Sequence, residues 1–205
     1  MVDPQRARRI GLFGGSFDPV HNAHVALARV ALEHLGLDEV WWIPAGQAWQ
    51  KERKLADAQH RAAMVQLAIE GEPRFRLERN ELDRAGPSYM IDSVRELQSR
   101  TSDAQWFLLL GQDQYANLHT WKEWQELLRR VTIAVAGRAG DQPAPSPALA
   151  AVPHRVLNLP MPAMPVSSTE IRRLFAHGDA AAKRKAADMV PAAVARYIAR
   201  HHPYS

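Results

Sequence analysis

The chain has 205 residues, of which 46% are hydrophobic, and it contains no cysteine. A chain of this length and composition can bury one core, so we expect a single domain over residues 1–205. The lack of cysteine excludes disulfides, thiolate metal ligands and thiol nucleophiles within these residues, and it fits a reducing cytoplasm. The first residues lack the apolar run of a signal peptide, and no stretch is apolar enough to cross a membrane. We therefore expect a cytoplasmic protein.

The formal net charge is +4, and the basic residues are spread along the chain. Short basic clusters occur at residues 6–9, 51–54 and 183–185. Clusters of this length are more typical of a solvated face than of a nucleic-acid-binding stripe, and no RNA-binding signature accompanies them. We expect neither nucleic acid nor a membrane as a partner, and the sequence leaves the oligomeric state open.

Apolar runs alternate with helical patterns along the chain. The patterns predict strands at residues 8–15, 38–45, 74–82, 105–113, 131–138 and 154–160. They predict helices at residues 21–36, 58–71, 88–100, 120–130, 167–178 and 191–202. Between the last two strands, the Pro-rich stretch 140–149 is predicted to be a loop.

Strands that are continuously apolar and alternate with helices are typical of a parallel sheet covered on both faces. The pattern therefore predicts an α/β fold: a Rossmann-like, doubly wound parallel sheet with helices on both faces and a C-terminal helical segment. Such sheets bind their ligands at the carboxyl ends of the strands, where the strand order reverses.

The most informative stretch is GGSFDPVHNAH, residues 14–24. Gly14 and Gly15 end the first predicted strand and would let a ligand approach the backbone closely. The spacing matches neither a phosphate-binding P-loop nor GxGxxG. Ser16 could cap the following helix or bind phosphate.

His21 and His24 lie three positions apart at the start of the first predicted helix, so both can point to one side. No HExxH pattern or carboxylate at a suitable spacing accompanies them, which argues against a metal pair. A helix N-terminus attracts anions, and imidazole donors beside it can bind phosphate oxygens. The two histidines therefore predict a phosphate site.

A second candidate stretch is VSSTEIRRLF, residues 166–175. Ser168 or Thr169 would lie at the N-cap of a helix whose first turn carries Arg172. An ordinary capped helix and a second phosphate site explain this pattern equally well.

The two motifs in this order resemble the (H/T)xGH and ISSTxxR motifs of the nucleotidyltransferase superfamily. Within it, the chain is similar to the bacterial nicotinate-nucleotide adenylyltransferases almost end to end. The stretches that carry this resemblance are GGSFDPVH, HRAAMVQLAI, GPSYMIDSV, GQDQYANLHTW, VSSTEIR and VPAAVARYI.

The resemblance implies AMP transfer from ATP to nicotinate mononucleotide, which gives deamido-NAD and pyrophosphate in NAD biosynthesis. The catalytic residues that it implies are His21, His24 and Arg172. For ATP binding it implies Gly14, Gly15, Ser16, Gly111, Asp113, Ser168 and Thr169. For the acceptor it implies Trp121, which would stack on the nicotinate ring, together with Ser88, Tyr89, Met90, Lys122, Gln50 and Lys51.

The chemistry of such a transfer fits these residue types. The phosphate of the acceptor can attack the α-phosphorus of ATP directly, so no covalent nucleophile is needed. Catalysis then consists of positioning and electrostatic stabilisation of the phosphoryl oxygens. We expect no protein-held metal, with Mg²⁺ carried mainly by the ATP phosphates.

Three positions depart from the family pattern. Ala23 replaces the usual glycine between the histidines, Gln50 replaces a usual histidine, and Met90 replaces a usual threonine. The sequence leaves two alternatives open. The same transfer could use nicotinamide mononucleotide or another phosphorylated acceptor, or the chain could be a non-catalytic nucleotide- or RNA-binding protein.

Overall fold

The structure is a computed structural model that describes residues 6–47, 55–101, 103–137 and 141–204. In this part of the chain, six strands form one sheet in which all neighbours are parallel, in the order β3-β2-β1-β4-β5-β6. The strands are β1 (Arg8–Gly15), β2 (Glu39–Pro44), β3 (Phe75–Leu77), β4 (Ala104–Gly111), β5 (Thr132–Gly137) and β6 (Val156–Pro160).

Helices cover both faces of the sheet, which confirms the predicted fold class. They are α1 (Asn22–His34), α2 (Ala58–Ile69), α3 (Asn80–Asp83), α4 (Met90–Arg100), α5 (Gln112–Ala116), α6 (Trp124–Arg130), α7 (Pro147–Ala150), α8 (Ser168–His177), α9 (Ala180–Asp188) and α10 (Ala192–His201). A short 3₁₀ turn occupies Leu118–Thr120. Among the described residues, no helix combines the length and the apolar character needed to span a bilayer.

Two apolar layers hold the sheet between its helices. In β4, Phe107 and Leu109 face the layer formed with α1, α2 and α10, whereas Leu108 and Leu110 face the layer formed with α4 and α6. All four are buried. Because both faces of this central parallel strand are covered, residues 106–110 are all apolar, and each buried leucine contributes about 1.5–3 kcal/mol.

The sheet reverses its winding direction at β1. This strand pairs with β2 on one side and with β4 on the other, so the crossovers diverge at the carboxyl ends of β1 and β4. Connections that diverge in this way leave a crevice at that edge of the sheet.

The predicted strand at 74–82 was too long. Only Phe75–Leu77 pairs with β2, and α3 follows at Asn80–Asp83. The turn into α3 places Glu81 in the interior, where its Oε1 accepts a hydrogen bond from the Ser93 hydroxyl at 2.7 Å. If the strand continued, its charged side chains would point alternately to the two faces of the sheet. The buried Glu81 carboxylate would then lack the hydrogen bond that it accepts from Ser93.

The predicted helix at 120–130 is interrupted. A 3₁₀ turn ends at Thr120, and α6 begins only at Trp124. Glu123 adopts a left-handed conformation with φ 49° and forms an ion pair with Arg95 of α4. The interruption allows Trp121 to face the crevice instead of continuing along a helix.

Four helices were not predicted. Two of them, α3 and α5, begin inside stretches predicted as strands, residues 74–82 and 105–113, so β4 also ends earlier than predicted, at Gly111. The other two lie further along the chain. The first, α7, lies partly in the stretch predicted as a loop; Ser146 caps it, and Pro147 is its first residue. The second, α9, begins after Asp179, whose Oδ1 accepts a hydrogen bond from the Ala182 amide at 2.8 Å. Caps and an N1 proline are local signals of a helix start, and at α7 they outweigh the Pro-rich composition of the surrounding stretch.

Candidate active site

A cleft of about 630 Å³ lies in the crevice, across the carboxyl ends of β1, β2, β4 and β5. Most of the site residues predicted from the sequence line this cleft. Those that line it are Gly14, Gly15, Ser16, His21, His24, Ser88, Met90, Gly111, Trp121 and Ser168. Residues of the first motif, Ser168 of the second motif and three of the expected acceptor residues, Ser88, Met90 and Trp121, therefore line one space.

The two histidines form a stacked pair at the start of α1. His21 is the N-cap residue, and His24 lies in the first turn. Their ring centroids are 3.6 Å apart, with an angle of 19° between the planes. The backbone N–H of His21 donates a hydrogen bond to Nδ1 of His24 at 3.1 Å.

This backbone bond fixes the proton on the His24 ring. Because Nδ1 accepts a hydrogen bond, a neutral His24 carries its proton on Nε2. Nε2–H then belongs to a ring that lines the cleft. Such a donor suits a phosphoryl oxygen better than a metal ion, because a metal needs an unprotonated nitrogen.

An aromatic group packs behind His24 and sets its orientation. The Phe17 ring meets the His24 ring edge-on at 5.2 Å, and Phe13 lies 5.9 Å away. Phe17 is buried and has φ 45°, a left-handed conformation that costs a non-glycine residue energy. Trp42 packs 5.3 Å from Phe17 and helps to hold it there. The histidine is therefore supported by a rigid apolar wall.

Burial keeps His21 uncharged near neutral pH. Only 7% of the residue is exposed, and desolvation lowers the pKa of its imidazole from 6.5 to about 4, partly opposed by a backbone hydrogen bond. Loss of hydration penalises the charged form because the protein interior solvates an ion poorly. The His21 imidazole is therefore neutral near pH 7 before any ligand binds.

His21 should make the stability of the ligand-free protein depend on pH. Its pKa is lower in the folded state, so the unfolded state binds the proton more readily and the stabilisation is present above pH 6.5. It is lost as the pH falls from 6.5 towards 4, and at about pH 5 the loss is about 2 kcal/mol. We expect His21→Gln to flatten this dependence, measured by urea unfolding at about pH 7.5 and about pH 5. An equal pH effect in both proteins would contradict the assignment.

The two glycines at the end of β1 serve the cleft differently. A Cβ on Gly14 would overlap the Met90 methyl group, and one on Gly15 would lie 3.1 Å from the Phe17 ring. Apart from its chain neighbours, no atom of the described residues lies within 4 Å of a Cβ placed on Gly111, at the end of β4. Gly14 thus admits the Met90 side chain, and Gly111 leaves open space for a ligand.

Helix α8 docks its N-terminus on the turn before α1. The Ser168 hydroxyl donates to the carbonyl of Pro19 at 3.0 Å, and Arg172 Nη1 donates to the carbonyl of Asp18 at 2.6 Å. Arg172 Nη2 also donates to the Thr169 hydroxyl at 3.1 Å. These bonds join the second motif directly to the first.

The cap of α8 differs from the prediction. Ser167, and not Ser168 or Thr169, is the N-cap, and its hydroxyl accepts from the Glu170 amide at 3.2 Å. Since α8 begins at Ser168, Arg172 lies beyond the first turn. Ser168 does not cap the helix; it lines the cleft, and its hydroxyl is bonded to the Pro19 carbonyl.

The expected acceptor side is built around the start of α4. Ser88 is buried, and its Oγ accepts a hydrogen bond from the Gly46 amide at 2.9 Å. Lys122 lies over the Tyr89 ring at 4.5 Å and forms an ion pair with Asp92 at 3.2 Å. These contacts join the Trp121 segment to α4 and so shape one wall of the cleft.

Several predicted residues lie near the cleft without lining it. Arg172 is largely buried behind the turn at Asp18, and Thr169 is exposed beside it. Asp113 is exposed on α5, where Gln114 lines the cleft instead. Tyr89 and Lys122 lie in the wall just described. Two further predicted residues, Gln50 and Lys51, fall outside the described residues.

The structure adds lining residues that the sequence did not suggest. Glu81 is a buried carboxylate whose pKa is raised by desolvation, against hydrogen bonds from serine side chains. Met161 and Met164 come from the connection between β6 and α8. Ala23, the departure from the family glycine, also lines the cleft. The buried glutamate was missed because its stretch had been interpreted as a strand.

The residues present do not form a protein cage for a metal ion. Within the described ranges, no three His, Cys, Asp or Glu side chains cluster at metal-binding distances. The hydroxyl and imidazole groups that line the cleft suit phosphate oxygens better than a cation. Nucleotidyltransferases with ATP-dependent reactions generally use a divalent metal.

Comparison with known proteins gives one consistent result. Residues 12–174 match the Cytidylyltransferase-like family model. The chain is 58% identical over 204 residues to a "Probable nicotinate-nucleotide adenylyltransferase" of Methylibium petroleiphilum, covering 100% of this chain and 95% of that protein. It is 48% identical over 202 residues to a protein of the same name from Bordetella petrii, covering 96% and 99%.

A solved structure supports the fold independently. The Plasmodium falciparum nicotinic acid mononucleotide adenylyltransferase complexed with NaAD superposes with a TM-score of 0.77 at 17% identity. The alignment covers 96% of this chain and 97% of that one. With both motifs facing one cleft at the reversal point of a parallel sheet, these matches identify the chain as a member of the nicotinate-nucleotide adenylyltransferase family, within the Cytidylyltransferase-like proteins.

Proposed function

We propose that the protein transfers AMP from Mg²⁺-bound ATP to nicotinate mononucleotide and releases pyrophosphate. The observation that carries the proposal is the convergence of His21, His24 and the N-terminus of α8 on the cleft that Trp121 also lines. Phosphate-binding groups and a flat aromatic ring then face one space, as an ATP molecule and a phosphorylated pyridine nucleotide require.

The reaction needs two anionic groups to approach each other. The phosphate oxygen of the acceptor attacks the α-phosphorus of ATP, and the bond to the β-phosphate oxygen breaks. In our proposal the Nε2–H of His24 donates to an oxygen of the transferred group, where negative charge develops. His21, neutral before binding, adds a second donor beside it. Such donors are effective because they are held in place before the reaction begins.

The leaving pyrophosphate would lie at the N-terminus of α8. The helix has ten residues, and the backbone N–H groups of its first turn attract anions. Ser168 and Thr169 offer hydroxyls, and Arg172 offers a guanidinium close to both. We propose that these residues bind the β- and γ-phosphates.

The acceptor would lie between the glycines of β1 and the Trp121 segment. We propose that Trp121 stacks on the pyridine ring and that N–H groups near Met90 and Lys122 bind its carboxylate. The first residues of α4, beginning at Met90, have N–H groups that the helix itself does not use. An amide in place of the carboxylate would face these donors with its own N–H₂ and leave them unpaired.

Pyrophosphate release tests the proposal directly. The assay contains the protein, ATP and Mg²⁺ with either nicotinate mononucleotide or nicotinamide mononucleotide as acceptor. We expect the acid to be preferred by kcat/KM, by about tenfold or more. Equal rates would retain the adenylyl transfer and remove the proposed carboxylate contact. Release with neither acceptor would remove the transferase assignment.

Trp121→Ala should weaken acceptor binding more than it slows turnover. Stacking on an indole contributes roughly 1–1.5 kcal/mol beyond buried area, so the KM for the acceptor should rise about tenfold or more. The KM for ATP should change little. Trp124→Ala, on the next helix, is the matched control, because Trp124 does not line the cleft. An unchanged acceptor KM in Trp121→Ala would exclude Trp121 from the pocket.

A further inference from the structure

One buried charge in the core of the chain has no part in the reaction described above. Arg61, on α2, is only 1% exposed. Burying a guanidinium away from water is costly unless hydrogen bonds replace its hydration. Its position within HRAAMVQLAI gives no indication of what it does, because a helix arginine is usually solvated.

The hydrogen bonds of Arg61 go to backbone carbonyls from separate segments. Nε donates to Ala56 at 2.9 Å, and Nη1 donates to Ser16 at 2.9 Å and to Ala45 at 2.6 Å. Nη2 donates to Gly46 at 3.1 Å. Ser16 belongs to the connection after β1, whereas Ala45 and Gly46 follow β2 and Ala56 precedes α2. One planar group therefore holds the loops at the carboxyl ends of two neighbouring strands.

Gly46 connects this arrangement to the acceptor side of the cleft. Its carbonyl accepts from Arg61, and its amide donates to the Ser88 hydroxyl at 2.9 Å. A side chain at Gly46 would overlap the backbone carbonyl of Glu81, so the Gly46 backbone is packed directly against the start of the acceptor wall. The Ser88 amide in turn donates to the Gln47 carbonyl at 3.0 Å. A displacement at Arg61 would thus reach the start of α4.

We infer that Arg61 is a positioning residue that fixes the distance between the phosphate-binding loop at Ser16 and the acceptor wall at Ser88. The inference rests on the proposed function, because that reaction consists of bringing two phosphates together. Arg61 itself does not line the cleft. In a reaction catalysed by positioning, a shift of about 1 Å can cost about 10²-fold in rate.

Lysine is the informative replacement. Arg61→Lys keeps the positive charge but has a single nitrogen, which cannot reach four carbonyls in three directions. We expect kcat to fall about tenfold and the acceptor KM to rise about tenfold, in a protein with wild-type secondary structure. Arg29→Lys, an exposed arginine on α1, is the matched control and should have wild-type constants.

Hydrogen exchange provides a readout that needs no turnover. In Arg61→Lys, exchange should become faster in peptides covering residues 14–18 and 44–47, whereas peptides from β4 should keep wild-type protection. Arg61→Ala adds a chemical test. Guanidinium ion, well below unfolding concentrations, should enter the vacated space and restore part of the activity of this variant but not stimulate the wild type.

The outcomes of these experiments separate a positioning role of Arg61 from a general contribution to the stability of the fold. Normal kinetic constants in the folded Arg61→Lys protein would overturn the inference, whether or not its melting temperature falls. So would exchange that is faster everywhere, because this indicates a general loss of stability. If the wild type releases no pyrophosphate with either acceptor, the proposed function fails, and hydrogen exchange alone decides whether Arg61 holds the two loops.

Discussion

Replacing His24 with alanine is expected to lower kcat by about 10²- to 10³-fold while changing the KM of each substrate by only a few fold. The reason is the proton on Nε2, which the backbone bond from His21 to Nδ1 fixes in place. A donor aimed at developing charge contributes to the transition state far more than to substrate binding. Steady-state kinetics with ATP and nicotinate mononucleotide measure both quantities.

Two amide variants make the test sharper. The glutamine nitrogen in His24→Gln can reach the position of Nε2, whereas the shorter asparagine in His24→Asn mimics Nδ1. We expect the glutamine variant to retain more activity than the asparagine variant. His34→Ala, an exposed histidine at the end of the same helix, should behave as wild type. Near-normal turnover in His24→Ala would contradict the proposed role of His24 as a donor to the transferred group.

Arg172→Ala is expected to lower kcat/KM for ATP by about 10²-fold or more. The change removes a charged donor from the place proposed for the leaving phosphates, and charge-assisted bonds are about twice as strong as neutral ones. It also removes the bond from Arg172 to the Asp18 carbonyl, which holds α8 against the first motif. We expect Arg172→Lys to recover only part of the loss, because Arg172 bonds Asp18 and Thr169 from two separate nitrogens of its planar fork, a geometry that a lysine ammonium does not reproduce.

The neighbouring arginine supplies the control. Arg173 is exposed and forms its ion pair with Glu170 at 2.9 Å, on the solvent side of the same helix. Arg173→Ala removes the same charge one position along and should change kcat/KM by less than about threefold. If Arg172→Ala and Arg173→Ala lose similar activity, the loss comes from the change in net charge of α8. This result would contradict a specific role for Arg172.

The sheet could be predicted from the sequence because parallel central strands leave a strong signal. Residues 105–110 are almost continuously apolar since helices cover both faces of β4. Edge strands and short helices carry weaker signals. At β3, charged residues alternate on an exposed edge, and the strand ends at Leu77 because Glu81 has its partner Ser93 in the interior. The end of β3 at Leu77 can be recognised only from the contact between Glu81 and Ser93 in the folded protein.

Part of the cleft lining could be predicted because its residues lie in short sequence motifs. His21, His24 and Ser168 lie in compact motifs, and a motif at a strand end must face the ligand edge of a parallel sheet. What the sequence could not provide was side-chain direction on short elements. On the five-residue α5, one position decides whether Asp113 or Gln114 reaches the cleft. The buried contacts of Arg61 were likewise invisible, because its partners are backbone carbonyls.

The docking of α8 on the turn before α1 has a consequence for protein synthesis. Arg172 and Asp18 are separated by 154 positions, and Ser168 and Pro19 by 149. A nascent chain that has emerged only as far as residue 165 already contains both histidines and all six strands of the described sheet. It still lacks the helix terminus proposed for the leaving phosphates. We expect such a fragment, held on a ribosome, to bind ATP poorly, so that nucleotide can stabilise the fold only after nearly all of the chain has been made.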